Sequence, residues 1–373
     1  MSTHYHGKFS LLTFYHFVDI ADPQSEVKKH YQFTHDLGLK GRIYIGEEGI
    51  SATVSGNEWQ LWAYRQYLLQ NPYFAHIADI DEKASTVAGH AFDKMIVRYR
   101  QEIVALGKTI TAAQVQQSLQ EISPADLKKV IDTNNDDYVI LDMRNSYEYK
   151  LGHFKNAIPA GTINFREMQD LIQQYKEKLA DKKVVMYCTG GIRCDKLSVL
   201  LKEEWLNNFY ALNGGVVKYV HQHNDGNRLG NLYTFDGLIS TKVGDADTHT
   251  TIGHCIYTWL TTDHCENCRY SPCNARILCR RKQYKRFGGF CSAECFEQAK
   301  VDGLVKNESF DSMDYKDLRS QVKSGKIQEA DFLTQVQAHL EKIVVDKKFP
   351  CATSQKEEIV DKELLEQYWT IHS

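Results

Sequence analysis

Residues 183–205 read KVVMYCTGGIRCDKLSVLLKEEW, and this stretch decides the fold of the middle of the chain. A short apolar run leads into Cys188, a glycine-containing loop follows, and after Arg193 the leucines recur at helical spacing. Two other short apolar runs also alternate with helical patterns, at residues 138–141 and 209–212. Because strands of this kind form parallel sheets covered by helices on both faces, the sequence predicts an α/β domain over residues 123–240.

The loop that follows this strand suits a negatively charged sulfur atom. Its glycines allow successive N–H groups to turn inward, and the helix start adds donors and partial positive charge. Such surroundings depress the pKa of a thiol, and Arg193 adds a permanent charge. We therefore expect Cys188 and Arg193 to be catalytic, whereas a buried structural thiol is the alternative. The loop residues expected to contact a substrate are Thr189, Gly190, Gly191 and Ile192.

The length of the loop favours sulfur chemistry. Between Cys188 and Arg193 it is one residue shorter than the loop of cysteine-dependent tyrosine phosphatases, so it leaves less room for a phosphate. Cys194 comes next, and we expect it either to pack in the first helical turn or to resolve an oxidised Cys188. On the neighbouring strand end, Asp142 and Arg144 predict a structural ion pair.

The chain before this domain has the pattern of a second fold. An apolar run at 8–20 precedes a helix that starts at Asp22-Pro23, and Asn57 caps a second helix. Three further strands are expected at 42–45, 52–54 and 95–104. This β-α-β-β-α-β order predicts a ferredoxin-like (acylphosphatase-like) domain over residues 1–110. A polar helix at 111–121 connects it to the α/β domain.

Composition sets broad limits. The 373 residues are 42% hydrophobic with a net charge of −3, which indicates a globular protein of two or three domains. That charge excludes a uniformly basic nucleic-acid binder but allows a local basic patch. The sequence has no run apolar enough for a membrane span and no recognisable secretory signal. We therefore expect a cytoplasmic protein whose ten cysteines are mostly reduced.

A cysteine-rich module is expected over residues 250–300, followed by a charged helical tail over 301–373. Two close pairs of cysteines about 20 residues apart favour a tetrahedral zinc site over free thiols. The predicted ligands are Cys265, Cys268, Cys291 and Cys295. Cys273 and Cys279 lie between the pairs and leave the ligand set open.

The same module carries a run of positive charge. Residues 269–290 contain seven basic residues and no acidic one, with Tyr284 and Phe287 among them. Basic side chains interleaved with aromatic ones are typical of single-stranded RNA binding, whereas a solvated loop is the alternative. The candidate RNA contacts are Arg280, Arg281 and Lys285.

Several motifs resemble a known family. Asp142-x-Arg144, Gly152-His153-Phe154 and the Cys188 loop resemble a rhodanese domain. Together with Glu47-Glu48-Gly49-Ile50 and His90-Ala91-Phe92, they resemble the tRNA uridine hydroxylase family. The resemblance implies hydroxylation of the wobble uridine of tRNA to 5-hydroxyuridine, with molecular oxygen as co-substrate and no known redox cofactor. It also implies the tRNA anticodon loop as partner and Cys188 as the active-site cysteine; no protein partner is expected.

Two other functions remain open at this point. A rhodanese-type sulfurtransferase would carry persulfide sulfur on Cys188, although it would not need the flanking domains. A module without catalysis would bind RNA or regulate, but the complete loop around Cys188 disfavours it.

Overall fold

The computed structural model describes residues 9–77, 81–84, 89–162, 164–176, 179–204, 206–223, 227–234, 240–241 and 250–305. The chain divides into two compact units, one drawn from residues 1–144, 164–224 and 234–239 and the other from residues 145–163, 225–233 and 240–373. The first unit holds the N-terminal domain and the sheet that precedes Cys188. The second holds the cysteine-rich module. Most of the charged tail predicted for 301–373 lies outside the described residues.

The N-terminal domain follows the predicted order of strands and helices. Its elements are β1 (Phe9–Phe17), α1 (Pro23–Asp36), β2 (Lys40–Gly46), β3 (Gly49–Asn57), α2 (Glu58–Gln70), β4 (Asp81–Ala84) and β5 (Met95–Tyr99). Asp22 caps α1 by accepting a hydrogen bond from the Ser25 amide at 3.0 Å, and Asn57 and Gln60 form a capping box at the start of α2. The helices and the sheet enclose a core around Leu12, Ile43 and Tyr64.

The last strand of this domain differs from the prediction. The strand order is β4-β1-β3-β2-β5, and the first four strands pair antiparallel in the ferredoxin-like order. The fourth strand of that order is therefore β4, whereas residues 95–99 form an added edge strand parallel to β2. The sequence of β4 is DEKA, which has no apolar alternation. Pairing with β1, and not local pattern, makes it a strand.

A parallel sheet forms the second part of the first unit. The elements from the connector onward are α3 (Ala112–Ser118), β6 (Glu121–Ile122), α4 (Pro124–Asp132), β7 (Tyr138–Asp142), α5 (Ser146–Leu151), β8 (Gly152–Phe154), β9 (Ile158–Pro159), a 3-10 turn (Phe165–Glu167), α6 (Met168–Lys176), β10 (Lys183–Tyr187), α7 (Ile192–Glu203), β11 (Phe209–Leu212) and α8 (Gly215–Gln222). Of these, α5, β8 and β9 belong to the second unit. Strands β6, β11, β10 and β7 lie side by side and parallel. Tyr187 is the register partner of Asp142, so both strand ends reach the same edge of the sheet. The predicted fold class is confirmed.

A buried ion cluster joins the two parts of the first unit. The Lys196 ammonium on α7 lies 2.8 Å from both carboxylate oxygens of Glu48 and 2.8 Å from Glu102 Oε2. The side chains of Lys196 and Glu48 are 0% exposed. Glu48 also accepts a hydrogen bond from the Ile103 amide at 2.8 Å. Because each charge is paired and hydrogen-bonded, the cluster compensates for the cost of removing it from water.

The second unit is built from short strand pairs and short helices, among them α5. Its remaining elements are β12 (Arg228–Gly230), β13 (Leu232–Tyr233), β14 (Ser240–Thr241), β15 (Cys265–Asn267), β16 (Arg276–Leu278), α9 (Arg281–Arg286) and α10 (Ala293–Val301). Strands β8 and β12, β13 and β14, and β15 and β16 pair antiparallel. Two small cores pack around the aromatic rings of Tyr257 and Phe287 and of Phe290 and Phe296.

Across the residues that the structure describes, none of the helices combines the length and the hydropathy that a bilayer crossing requires.

We expect Lys196→Met to destabilise the protein by about 3–5 kcal/mol, because it leaves the buried Glu48 and the largely buried Glu102 without a cation. Urea denaturation followed by tryptophan fluorescence measures the change. The control is Lys129→Met, whose partner Asp126 lies 2.9 Å away with both side chains more than half exposed, 76% and 57%. Loss of that surface pair should change stability by less than about 1 kcal/mol. Equal shifts for both variants would contradict a special role for the buried cluster.

Candidate active site

The loop after β10 holds a buried sulfur atom. Cys188 is 0% exposed, and its Sγ accepts a hydrogen bond from the Gly191 amide at 3.1 Å. Gly191 has φ +110°, a conformation that side chains rarely adopt, and α7 starts directly after it. Arg193 Nη2 donates to Thr189 Oγ1 at 3.1 Å, which ties the helix start back to the loop. The loop residues expected to contact a substrate thus form one continuous turn around the sulfur.

Local interactions set the ionisation of Cys188. Burial raises the pKa of its thiol, but hydrogen bonds from the Cys194 thiol and backbone amides, together with the Arg193 charge, lower the pKa to about 5. The sulfur is therefore a thiolate at neutral pH, as the loop predicted. Thiolates are the nucleophilic form of cysteine, so the site can attack an electrophilic carbon or carry sulfur.

Cys194 serves the reactive sulfur as a donor. It is 0% exposed, and burial followed by the hydrogen bond to Cys188 raises the pKa of its thiol well above the usual value. Cys194 therefore keeps its proton and donates it toward the thiolate. Neither cysteine forms a disulfide. Two roles were expected for Cys194. It lies packed in the first helical turn, and from there it also donates a hydrogen bond to Cys188.

Two residues near the loop escaped the sequence analysis. Tyr15 Oη on β1 donates to Asp195 Oδ2 on α7 at 2.7 Å. Burial, followed by the charge of Cys188, raises the pKa of Asp195 to about 7, although the Tyr15 hydrogen bond lowers it. Asp195 lies one residue beyond the motif, so its position in sequence was a signal. Tyr15 has no such signal, because only the fold brings its strand to α7.

The neighbouring strand end holds a closed network. Arg144 Nη2 lies 2.6 Å from Asp142 Oδ2, and Tyr187 Oη donates to the same oxygen at 2.6 Å. All three side chains are buried. Burial alone would raise the pKa of Asp142, but the Arg144 charge and hydrogen bonds lower it overall. This geometry is that of the structural ion pair expected from the sequence.

Four cysteines of the second unit converge. The Sγ atoms of Cys268, Cys273, Cys291 and Cys295 all lie within 4.8 Å of one another. Cys291 Sγ is 3.6 Å from Cys273 Sγ and 3.5 Å from Cys295 Sγ. Four thiolates about 2.3 Å from a shared zinc ion would be spaced about 3.8 Å apart, so the group fits a tetrahedral site.

The predicted ligand set needs one correction. Cys265 is not part of this group, and Cys273 takes its place. Cys265 lies on β15, where pairing with β16 fixes it in a hairpin, and burial raises the pKa of its thiol to about 12. The loop that connects β15 to β16 brings Cys273 back to Cys268, whose amide donates to the Ala275 carbonyl at 2.7 Å. The spacing of the cysteines along the chain does not predict that Cys273 lies close to Cys268.

The basic segment presents charge but little aromatic surface. Arg280, Arg281 and Lys285 are exposed on or beside α9. Phe287 is only 1% exposed and stacks on Tyr257 with ring centroids 4.7 Å apart, so it is not available to a nucleobase. The half-buried Tyr284 donates to the Asn267 carbonyl at 3.0 Å. The structure therefore places the three candidate RNA contacts together, without the stacking rings expected beside them.

Comparison with known proteins adds the family. Residues 9–103 match the UPF0176 acylphosphatase like domain, residues 123–222 the Rhodanese-like domain and residues 229–296 the Rhodanase C-terminal family. These three matches follow one another along the chain in the order of its N-terminal domain, its parallel sheet and its cysteine-rich module.

Relatives with the name tRNA uridine(34) hydroxylase align over most of the chain. The protein from Onion yellows phytoplasma is 32% identical and is covered over 97% of its length and 81% of this chain. That from Staphylococcus carnosus is 34% identical, with 94% of its length and 81% of this chain covered. That from Staphylococcus saprophyticus is 37% identical, with 90% and 77% covered. The chain therefore belongs to the tRNA uridine(34) hydroxylase family.

Proposed function

We propose that this chain hydroxylates uridine 34 of tRNA at ring carbon 5, with molecular oxygen as co-substrate and Cys188 as the reactive residue. The observation that carries the proposal is the thiolate at Cys188, with a pKa of about 5, in a chain whose relatives of that name align over nearly their whole length. A plain rhodanese sulfurtransferase would not need the additional domains. Because tRNA is the substrate, a cytoplasmic location is part of the proposal.

The chemistry begins with covalent catalysis. The Cys188 thiolate adds to carbon 6 of the uracil ring, a C6–S bond forms, and the electron pair of the C5–C6 double bond moves to carbon 5 and onto the oxygen of the adjacent C4 carbonyl. Arg193 and the loop amides stabilise the negative charge. The electron-rich carbon 5 then combines with oxygen. Over the whole reaction one oxygen atom becomes the hydroxyl group, and the other leaves as water with two electrons and two protons from an external reductant.

The nucleosides of cellular tRNA test this function. Deletion of the gene should remove 5-hydroxyuridine and its derivatives from tRNA, as measured by mass spectrometry of digested tRNA. The wild-type gene should restore them, Cys188→Ser should not, and Cys255→Ala, at a buried cysteine of the second unit, should. Loss of thiolated nucleosides instead would overturn the proposal in favour of a sulfurtransferase, and a functional Cys188→Ser enzyme would exclude the covalent step.

The proposal includes tRNA contact through the basic segment on and beside α9. Replacing Arg280, Arg281 and Lys285 with alanine removes three exposed charges, so the slope of log Kd against log salt should fall by about 2. Filter binding with tRNA between low and moderate salt measures the slope. As a charge-matched control, Lys28→Ala, Lys128→Ala and Lys129→Ala together remove three cations from α1 and α4. Equal slopes for the two triple variants would contradict contact by this segment.

A structural zinc ion bound by Cys268, Cys273, Cys291 and Cys295 also belongs to the proposal. It would hold α10 against the β15–β16 hairpin, because Cys295 lies on that helix and Cys268 follows β15. We expect about one zinc per purified chain by elemental mass spectrometry. Cys273→Ser should lose it and unfold at lower temperature, whereas Cys265→Ser should retain it. Zinc that depends on Cys265 and not on Cys273 would contradict the ligand set.

A further inference from the structure

A tyrosine from the N-terminal domain reaches the Cys188 loop. Its Oη lies 2.7 Å from Asp195 Oδ2. A Cβ added at Gly191 would lie 2.5 Å from this same hydroxyl of Tyr15, so the hydroxyl packs directly on the loop. Gly191 is also the residue whose amide donates to Cys188 Sγ at 3.1 Å. Gly191 therefore lies between the Tyr15 hydroxyl, which packs on it, and the Cys188 sulfur, to which its amide donates.

This pair is not needed to join the domains. The buried cluster of Lys196 with Glu48 and Glu102 already does so, and Phe17 on β1 packs against the apolar cluster of Ile110, Val115 and Val199. A phenylalanine at position 15 would fill the same space as the tyrosine without placing a carboxylate against a hydroxyl in half-buried surroundings. The hydroxyl thus adds a polar function that packing alone does not require.

The electrostatic surroundings suit exchange of a proton near neutral pH. Burial raises the pKa of Asp195 to about 7, Tyr15 lowers it by its hydrogen bond, and the charges of Cys188 and Glu121 raise it. The other ionisable groups beside the pair are Cys194, which keeps its proton, and Arg193, which stays charged. Burial, followed by the Asp195 charge, raises the pKa of Tyr15 well above its usual value, so its hydroxyl remains protonated.

We infer that Tyr15 and Asp195 form the proton acceptor of the hydroxylation reaction, an inference that rests on the proposed function. Once carbon 5 carries the new hydroxyl group and carbon 6 carries Cys188, product formation is an elimination. The C5–H bond breaks, and its proton passes through the Tyr15 hydroxyl to the Asp195 carboxylate. The released electron pair forms the C5–C6 double bond, and the C6–S pair returns to Cys188 as thiolate. In this scheme Tyr15 contacts the substrate, and Asp195 acts through it as a positioning residue.

Single-turnover hydroxylation of unmodified tRNA by the full-length enzyme tests the inference. The wild-type rate should rise with pH through about 7, because the carboxylate accepts a proton only when ionised. Tyr15→Phe and Asp195→Asn should each reduce the rate by about 100-fold and abolish that rise. The matched control is Tyr99→Phe, which removes a hydroxyl that donates to Glu47 at 2.9 Å on the same domain. It should leave both rate and pH profile unchanged.

A second measurement separates proton transfer from support of the loop. The thiolate absorbance of Cys188, taken as the difference from Cys188→Ser, should show a pKa of about 5 in the wild-type enzyme. In Asp195→Asn it should be no higher, because a repelling negative charge has been removed. Variants that lose the low thiol pKa along with activity would assign the pair to loop structure and overturn the inference. So would variants that hydroxylate within about twofold of the wild-type rate. A wild-type enzyme that forms no 5-hydroxyuridine would refute the proposed function itself.

Discussion

The buried ammonium of Lys196 is the constraint on which the first unit depends. It is the cation for two carboxylates from the N-terminal domain, and it lies in α7, the helix that starts at the Cys188 loop. An unpaired charge at 0% exposure would cost several kcal/mol. The helix and the domain can therefore pack closely only when Lys196 contacts both Glu48 and Glu102. Asp195 immediately precedes Lys196. The contact that holds the two domains together therefore also determines where Tyr15 contacts the Cys188 loop.

The chemistry of the loop depends on the pKa of Cys188, which burial raises and a few hydrogen-bond donors lower. Burial opposes ionisation of Cys188, but the sulfur accepts hydrogen bonds within its own turn and has a guanidinium nearby. Cys194 shows the opposite outcome at the same depth, because burial, the hydrogen bond to Cys188 and the Cys188 charge raise its pKa more than Arg193 lowers it. Two thiols six residues apart thus have opposite protonation states. The difference arises from which of them lies at the mouth of the inward-facing amides.

The parts of this structure that could be predicted from sequence are those set by neighbouring residues. The apolar run of β10, the glycines after it and Arg193 lie within one short stretch, so the loop and its thiolate follow from local chemistry. Strand β4 could not be predicted, because its four residues DEKA become a strand only by pairing with β1. Tyr15 was missed, and the choice of Cys273 as a ligand was left open, for the same reason. Each contacts partners from segments that are distant in sequence and meet only in the fold. The spacing of residues along the chain does not predict such contacts.

The charge cluster at Lys196 also bears on how this chain is made and how its parts could be exchanged. The N-terminal domain leaves the ribosome before α7, so its carboxylates are in place when the lysine arrives. A fragment that began at the connector would lack both anions, because Glu48 and Glu102 precede it. The α/β domain of this protein therefore carries a cation whose carboxylate partners both lie in the preceding part of the chain. Recombination that supplied a new leading domain would need to bring two matching acids with it.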